Sequence, residues 1–465
     1  MNLFKLSLLL VVVTCNTYAQ CWSDIAAGYN HTLGIQTDGT LWAWGRNDYG
    51  QLGDGTNTNK NTPTQIGTDN DWHVIAAGDT HSMAIKNDGT LWAWGRNNFG
   101  QLGDGTTVNK NTPFQVNGDT DWKTISLDNE FTIALKTNGT IWGWGKNNLK
   151  QLGNPDPSPI YVPTQIGSDS NWKTIDTGFQ RSVALKTDNT FWGWGSGANG
   201  VFGNGGGNFS SAIPVQTLPD TDWRQTSTAG TTLAIRSDGS LWAWGENSFG
   251  SVGNGSFVNN GPNYIPNHIG IANNWVSISM GTYASRAINS NNELFCWGYN
   301  VSGQVGDGTT INRNVPTQVG VGNTWLSTSG GLFYVVGLTT NHTLWAWGDN
   351  TYGQLGDGTF TNRLTPIQIG TTCLLATSSF EGKNILKAFP NPAQNNLTIQ
   401  YNLSERATVQ TTIANYLGQI LYSQKTNKSP GMQHDPIHLS SFPNGVYLIS
   451  IYTNNLHNTI KIIKN

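Results

Sequence analysis

Leu41-Trp42-Ala43-Trp44-Gly45-Arg46-Asn47-Asp48-Tyr49-Gly50-Gln51-Leu52-Gly53-Asp54-Gly55-Thr56 decides the fold, because it does not occur once. It returns as Leu91-Trp92-Ala93-Trp94-Gly95 running to Gly105-Thr106, and in altered form around Gly145, Gly195, Gly245, Gly298 and Gly348. Successive glycines are 50, 50, 50, 50, 53 and 50 residues apart. A fixed spacing of this size marks a repeat array, in which each unit buries its apolar face only against a neighbour.

Upstream of that stretch each unit opens on a tryptophan, and Trp22, Trp72, Trp122, Trp172, Trp223, Trp275 and Trp325 count seven units. The first unit continues with Ile25-Ala26-Ala27-Gly28, an alternating run Thr32 to Ile35, and a turn at Asp38-Gly39. Downstream, a long polar loop ends at Pro63-Thr64-Gln65-Ile66-Gly67. Short β-branched or aromatic runs bounded by Gly, Asn, Asp and Pro read as strands. Four runs per unit predict a four-stranded antiparallel sheet. Asp-Gly predicts a two-residue hairpin turn with positive φ; Asp188-Asn189, Asn291-Asn292 and Asn341-His342 are weaker versions of it.

Trp42 and Trp44 are two apart and share one strand face. All 20 tryptophans fall in the array, so they are expected to glue sheet to sheet. Each would contribute roughly 4–6 kcal/mol gross on burial. Seven such sheets close radially. The expected architecture is all-β, a seven-bladed β-propeller followed by a small β-sandwich. The small run Ala26-Ala27-Gly28 is expected on the axis. If the fourth run pairs with the opening strand of the next unit, the final run, Pro366-Ile367-Gln368-Ile369, completes the first blade and fastens the ring.

The runs Ala-Ala-Gly-x-x-His-Thr/Ser, Leu-Trp-Ala-Trp-Gly-Arg-Asn and Gly-Gln-Leu-Gly-Asp-Gly resemble the regulator of chromosome condensation repeat over about residues 22–370. The resemblance implies the seven-bladed fold. It implies little about activity, because loop residues rather than the repeat framework set function on such scaffolds.

Met1 to Gln20 reads as a secretory signal, with an apolar core from Leu6 to Val13 and Thr17-Tyr18-Ala19 as the cleavage site. The expected domains are a signal at 1–20, a propeller at 21–370, a linker at 371–387 and a C-terminal domain at 388–465. No later stretch is long and apolar enough for a transmembrane helix. Charged residues are 11%, well under the usual quarter, and the net charge is −3 with Lys and Arg scattered. That excludes a basic nucleic-acid-binding stripe.

Cys296 sits in a strand position and reads as a buried free thiol. Cys21 holds the repeat position of Asp71, and Cys373 follows Gly370 by three. A closed ring makes these two neighbours, and an oxidising compartment would join Cys21 to Cys373 as a disulfide. His31 and His81 hold one repeat position and read as structural. Asp54, Asp104, Asp307 and Asp357 read as turn caps, since the spacing of a calcium loop is absent. Tyr49, Phe99, Phe249 and Tyr352 share a loop position. They are candidates for a partner-binding ring on one face, or for covers over the outer strand.

Beyond the array, Pro390, Asn391 and Pro392 open a different unit. Gly445, Tyr447 and Lys461 are its later landmarks. The unit resembles the C-terminal sorting domain of type IX secretion. The resemblance implies outer-membrane export, with the secretion machinery as a partner and a secreted or outer-surface location.

No Gly-x-Ser-x-Gly elbow, zinc motif or carboxylate pair is present, and Glu130, Glu246 and Glu293 hold unrelated positions. The reading is a non-enzymatic binding scaffold, a monomer without cofactor, catalytic residue or metal. It recognises a protein partner through propeller loops. Glycan binding and adhesion is the alternative; a polysaccharide-active enzyme or an exchange factor has less behind it.

Overall fold

The computed structural model describes residues 21–258, 261–370, 386–403, 405–415, 420–453 and 457–464. The signal, Cys373, most of the linker and residues 416–419 lie outside the described residues. The chain divides into two units at residue 373.

The first unit contains seven four-stranded antiparallel sheets, each built from one repeat. In blade 1 these are β1 (Trp22–Ala27), β2 (His31–Gln36), β3 (Leu41–Gly45) and β4 (Lys60–Gln65), paired in sequence order. The seven β1-type strands surround the axis, and residues such as Ala26, Ala76 and Gly178 line a cavity of about 280 Å³. Small side chains suit this crowded rim, as the sequence predicted. The β4-type strands lie outermost, and most carry a proline, as at Pro63, Pro113 and Pro163. Proline on an exposed edge blocks pairing with another chain.

The blade turns are longer than the two-residue hairpin expected. The Gly39 amide donates to Gln36 O at 2.9 Å, and the next pair in register is Ile35 with Leu41. Asp38 Oδ1 accepts the amide and hydroxyl of Thr40, which fixes the extra residue. Positive φ is confined to one place, held by Gly39 (φ +83°) and, in other blades, by Asn189, Asn292 and His342.

The last strand does not complete the first blade. Arg363–Ile369 pairs with Leu344–Gly348 of its own repeat, and β4 fills the outer place in blade 1. Each loop between third and fourth strands is long enough to return the chain beside its own sheet, so no place is left for a borrowed strand. Side chains and turns close the ring instead. Trp44 Nε1 donates to Gln354 O of blade 7 at 2.9 Å, and Thr32 Oγ1 donates to the same oxygen at 2.9 Å. The Trp22 amide donates to His342 O at 3.0 Å, and the Tyr334 hydroxyl donates to His31 O at 2.5 Å.

The Trp44 bond is one of seven. Trp94, Trp144, Trp194, Trp244, Trp297 and Trp347 each donate Nε1 to the carbonyl of Gln51, Gln101, Gln151, Val201, Ser251 and Gln304 on the preceding blade. The repeat motif builds this acceptor. The Tyr49 amide donates to Gln51 Oε1, and the Leu52 amide donates to Asn47 Oδ1. Asp54 Oδ1 accepts Thr56 N, Thr56 Oγ1 and Asn47 Nδ2, so the aspartates cap the turn as read. Trp22 packs edge-on against Trp42 and Trp44, with centroids 6.2 and 5.6 Å away.

A second repeated device is invisible as a motif. The Lys86 ammonium lies 4.8 Å from the ring centres of Trp72 and Trp92 and is held by Asp69 and Asp71. Lys136 and Arg236 do the same in their blades. Cation–π contacts of this partly desolvated kind contribute about 1–2 kcal/mol each.

Cys21 is disulfide-bonded and Cys296 is a buried free thiol. If Cys373 is the partner of Cys21, thiol titration of a chain of residues 21–465, unfolded and unreduced, gives one free thiol. A count of three removes the pairing.

The second unit is a two-sheet sandwich. Lys387–Phe389, Asn396–Leu403 and Gly431–His438 form one sheet. Ile420–Lys428, Ala407–Asn415, Gly445–Tyr452 and His457–Lys464 form the other. Leu397, Ile399, Val409, Ile413, Ile449 and Ile462 share its core.

Candidate binding face

The turns after the first strands and the loops after the third emerge at the same end of the blades, because His31 pairs with Gly45 across β2 and β3. This loop face carries all four aromatics singled out from the sequence, each half-buried. They do not act alike. The Arg46 guanidinium lies 5.0 Å from the Tyr352 ring centre, Arg96 lies 4.9 Å from Tyr49, and Lys146 lies 4.8 Å from Phe99. Each ring is thus covered by a cation from the next blade. Glu130 bridges two of these cations, at 3.2 Å to Arg96 and 2.8 Å to Lys146.

Phe249 belongs to something different. Its ring is 4.6 Å from Tyr299 and 5.3 Å from Tyr283. Tyr283 continues to Phe179 at 5.6 Å, and Tyr299 to Phe333 at 5.6 Å. Five half-buried rings from blades 4 to 7 therefore form one connected patch. Sequence reasoning missed Phe179, Tyr283, Tyr299 and Phe333. Three of them depart from the repeat, since Tyr283 and Phe333 stand where blades 1 to 3 carry Asn30, Thr80 and Glu130, and Tyr299 stands where they carry Arg46, Arg96 and Lys146; Phe179 stands where blade 1 carries Tyr29. Phe179 and Gln180 also hold positive φ (28° and 66°), uncommon for such residues.

Beside the patch the rim of the axial cavity is acidic. Burial, with Asp128 and Glu130 near, pushes the Asp79 carboxyl well above the usual range. Burial also raises Asp128, against the pull of Arg181. Asp176 sits in the cavity wall, raised to about 7 by burial, and accepts the Thr228 amide at 2.6 Å. Among the described residues no three His, Cys, Asp or Glu side chains come together as a metal cluster.

His31 and His81 lie just beneath this face, fully buried. His31 Nε2 is 2.9 Å from Ser82 Oγ, and His81 Nε2 is 3.4 Å from Thr132 Oγ1. Burial lowers both to about 3, so the rings are neutral links between blades.

In the C-terminal unit the motif residues converge on the last strand. Asn391 Nδ2 donates to Lys461 O at 3.0 Å, and the Ile463 amide donates to Asn391 Oδ1 at 2.9 Å. Its side chain pairs with that strand as a backbone amide would. Gly445 and Tyr447 lie opposite Lys464 and Ile462, and the buried Tyr447 hydroxyl donates to Pro443 O at 2.6 Å. Lys461 is exposed.

The model of the regulator of chromosome condensation (RCC1) repeat matches residues 38–85, 88–135, 138–185, 238–288, 291–338 and 341–388, more than half of the chain. The chain belongs to the regulator of chromosome condensation repeat family. A second model of the same repeat matches residues 22–51, 73–101, 275–304 and 326–354. Residues 186–237 are matched by neither model, yet they complete blade 4 and open blade 5 in the same register as the rest. Among solved structures, Prp20p from Saccharomyces cerevisiae is similar at 19% identity and a TM-score of 0.64, over 76% of this chain and 88% of that one. Human WBSCR16 is similar at 20% identity and a TM-score of 0.63, over 69% and 88%. Both support the fold alone. The ultraviolet-B receptor UVR8 of Arabidopsis thaliana is 41% identical over 44 residues, 10% of this chain and 10% of the receptor.

The model of a secretion system C-terminal sorting domain matches residues 387–465. The chain is a propeller protein exported by type IX secretion to the cell surface or the environment. No helix among the described residues is long and apolar enough to cross a membrane.

Proposed function

We propose that this protein is a non-enzymatic scaffold that recognises a protein partner through the loop face over blades 4 to 7. The observation that carries the reading is the connected patch of Phe179, Tyr283, Phe249, Tyr299 and Phe333. Aromatic rings held by one another lose little freedom on binding, and such residues dominate protein interfaces. The rings of blades 1, 2 and 7 that lie under cations are less available. The glutamates are engaged by neighbours, Glu130 by Arg96 and Lys146 and Glu293 by Asn289, which favours a scaffold over general acid–base chemistry. The yeast relative, described with its binding to Gsp1p and histones, is a precedent for protein recognition on this fold.

The test is affinity capture from the secreted and surface material of the source community, read by mass spectrometry with glycan beads as a second arm. The Tyr283→Ser/Tyr299→Ser double variant is expected to weaken capture of the enriched protein at least tenfold while leaving the melting curve cooperative. Capture that ignores the double substitution removes the patch from the reading. Enrichment on glycan beads alone transfers it to adhesion.

A further inference from the structure

Arg286 breaks the apolar pattern of the array. It lies opposite Cys296, as Leu33 lies opposite Ala43 and Val336 opposite Ala346, so its column is otherwise apolar. Its side chain is 1% exposed. Among the described residues it has no ion pair and makes one hydrogen bond, from Nη2 to Ser279 Oγ at 3.3 Å, while Nε is buried without a partner. The nearby titratable group is the Cys296 thiol, which burial pushes up to about 12, so it is neutral. Arg286 stays a cation at neutral pH, lowered by burial to about 10.

An uncompensated buried guanidinium destabilises a fold unless something answers its charge. If Arg286 were mere filler between blades, an apolar residue would do, as it does in the same column elsewhere. The surroundings instead make room for the charge. Gly330 stands where other blades carry Ala27, Leu127 or Met280. A Cβ at Gly330 would lie 1.8 Å from Arg286 Nη2, and one at Gly281 would lie 3.2 Å from Nη1. Both glycines line the axial cavity, so the guanidinium lies against a stretch of its wall that carries no side chain at either position. Ser279 and Ser329 line the same wall, and Ser279 Oγ, accepting from Arg286, keeps its own proton free to donate. Asp176 is on blade 4 and accepts from Thr228 N and Ser126 Oγ.

We propose that the axial channel holds a small anion, a halide or a carboxylate- or phosphate-sized oxyanion, seated on Arg286 and Ser279 between blades 6 and 7. A guanidinium with a free edge and an adjacent hydroxyl form a donor set suited to such anions. A cavity of about 280 Å³ admits one with bound water but no bulky ligand. The bound anion would supply the missing countercharge and tie blade 6 to blade 7.

The test is thermal unfolding of the full secreted chain titrated with sodium chloride, bromide, acetate and phosphate in separate arms. Wild type is compared with Ser279→Ala and Arg286→Met. General ionic-strength effects are common to all three proteins, whereas site binding adds a saturable rise in Tm. The expected result is a saturable rise for at least one anion in wild type. Its midpoint shifts three- to tenfold higher in Ser279→Ala, and it is absent in Arg286→Met. Alanine already occupies the Ser279 position at Ala26 and Ala76, so that variant keeps the fold and carries the test should Arg286→Met not fold. Identical salt dependence in wild type and Ser279→Ala for all four anions overturns the proposal.

Discussion

Trp44→Ala is expected to lower the unfolding free energy of the propeller by about 3–5 kcal/mol, the range for removing a fully buried tryptophan. Trp44 is 0% exposed at the seam where blade 1 meets blade 7. It contributes packing against Trp22 and the bond to Gln354 O. Alanine forfeits the transfer energy, leaves a cavity between blades and strips one donor from that carbonyl. Trp42→Ala is the internal control. Trp42 is half-buried and donates within its own blade, to Thr40 Oγ1, so its loss is expected to cost roughly half as much. Urea denaturation of the two variants and wild type measures both. A loss below about 1 kcal/mol for Trp44→Ala would mean that the seam is not held through the tryptophan.

The second large effect is acid sensitivity carried by His31 and His81. Their folded values are lowered by burial from 6.5 to about 3. A lowered base is protonated more readily in the unfolded chain, so each histidine's contribution is intact above pH 6.5 and is lost as pH falls toward 3. At pH 4 the loss is on the order of 3 kcal/mol for each ring. Buried carboxyls oppose this. Asp24 is raised to about 6 and Asp176 to about 7, so the folded chain gains protons over the same window. Variant pairs isolate the histidines. Phe131 occupies the same repeat position in blade 3, which makes His81→Phe a substitution the architecture accepts. Its stability at pH 7.5 is expected within about 1–2 kcal/mol of wild type. At pH 4 it should have gained about 3 kcal/mol relative to wild type. Denaturation curves at both pH values decide it. A difference that does not move with pH means that His81 is accessible to protons in the folded state.

Much of the architecture was legible because it is written seven times. Trp22, Trp44 and Gly45 recur in register, and recurrence separates a structural role from a local accident. The axial place of Ala26-Ala27-Gly28 followed from size alone. The strand pairing of Arg363–Ile369 did not, because a fourth run fits equally beside its own third strand or its neighbour's first. Loop geometry chooses between them. The hairpin turn was misjudged for a similar reason, since the Asp38 side chain adds a residue by capping Thr40.

The proposed binding face was legible only in outline. Tyr49, Phe99, Phe249 and Tyr352 were found by repeat position, and the structure places all four on one face. What each ring touches depends on the neighbouring blade. Arg96 over Tyr49 and Tyr299 beside Phe249 come from the same repeat position, and nothing in one repeat announces what the next will lay across it. Arg286 shows the same limit. Its column was readable, but its isolation from any carboxylate was not. Periodicity along the chain thus determined the elements, their number and their buried faces, since those follow from alternation and from the need to bury tryptophan. Contacts across blades determined which rings are free, which charges are answered and how the circle closes. Those contacts join residues about 50 apart in sequence, or some 320 apart at the seam, as between Trp22 and His342. Only closure of the ring brings such residues within hydrogen-bonding range.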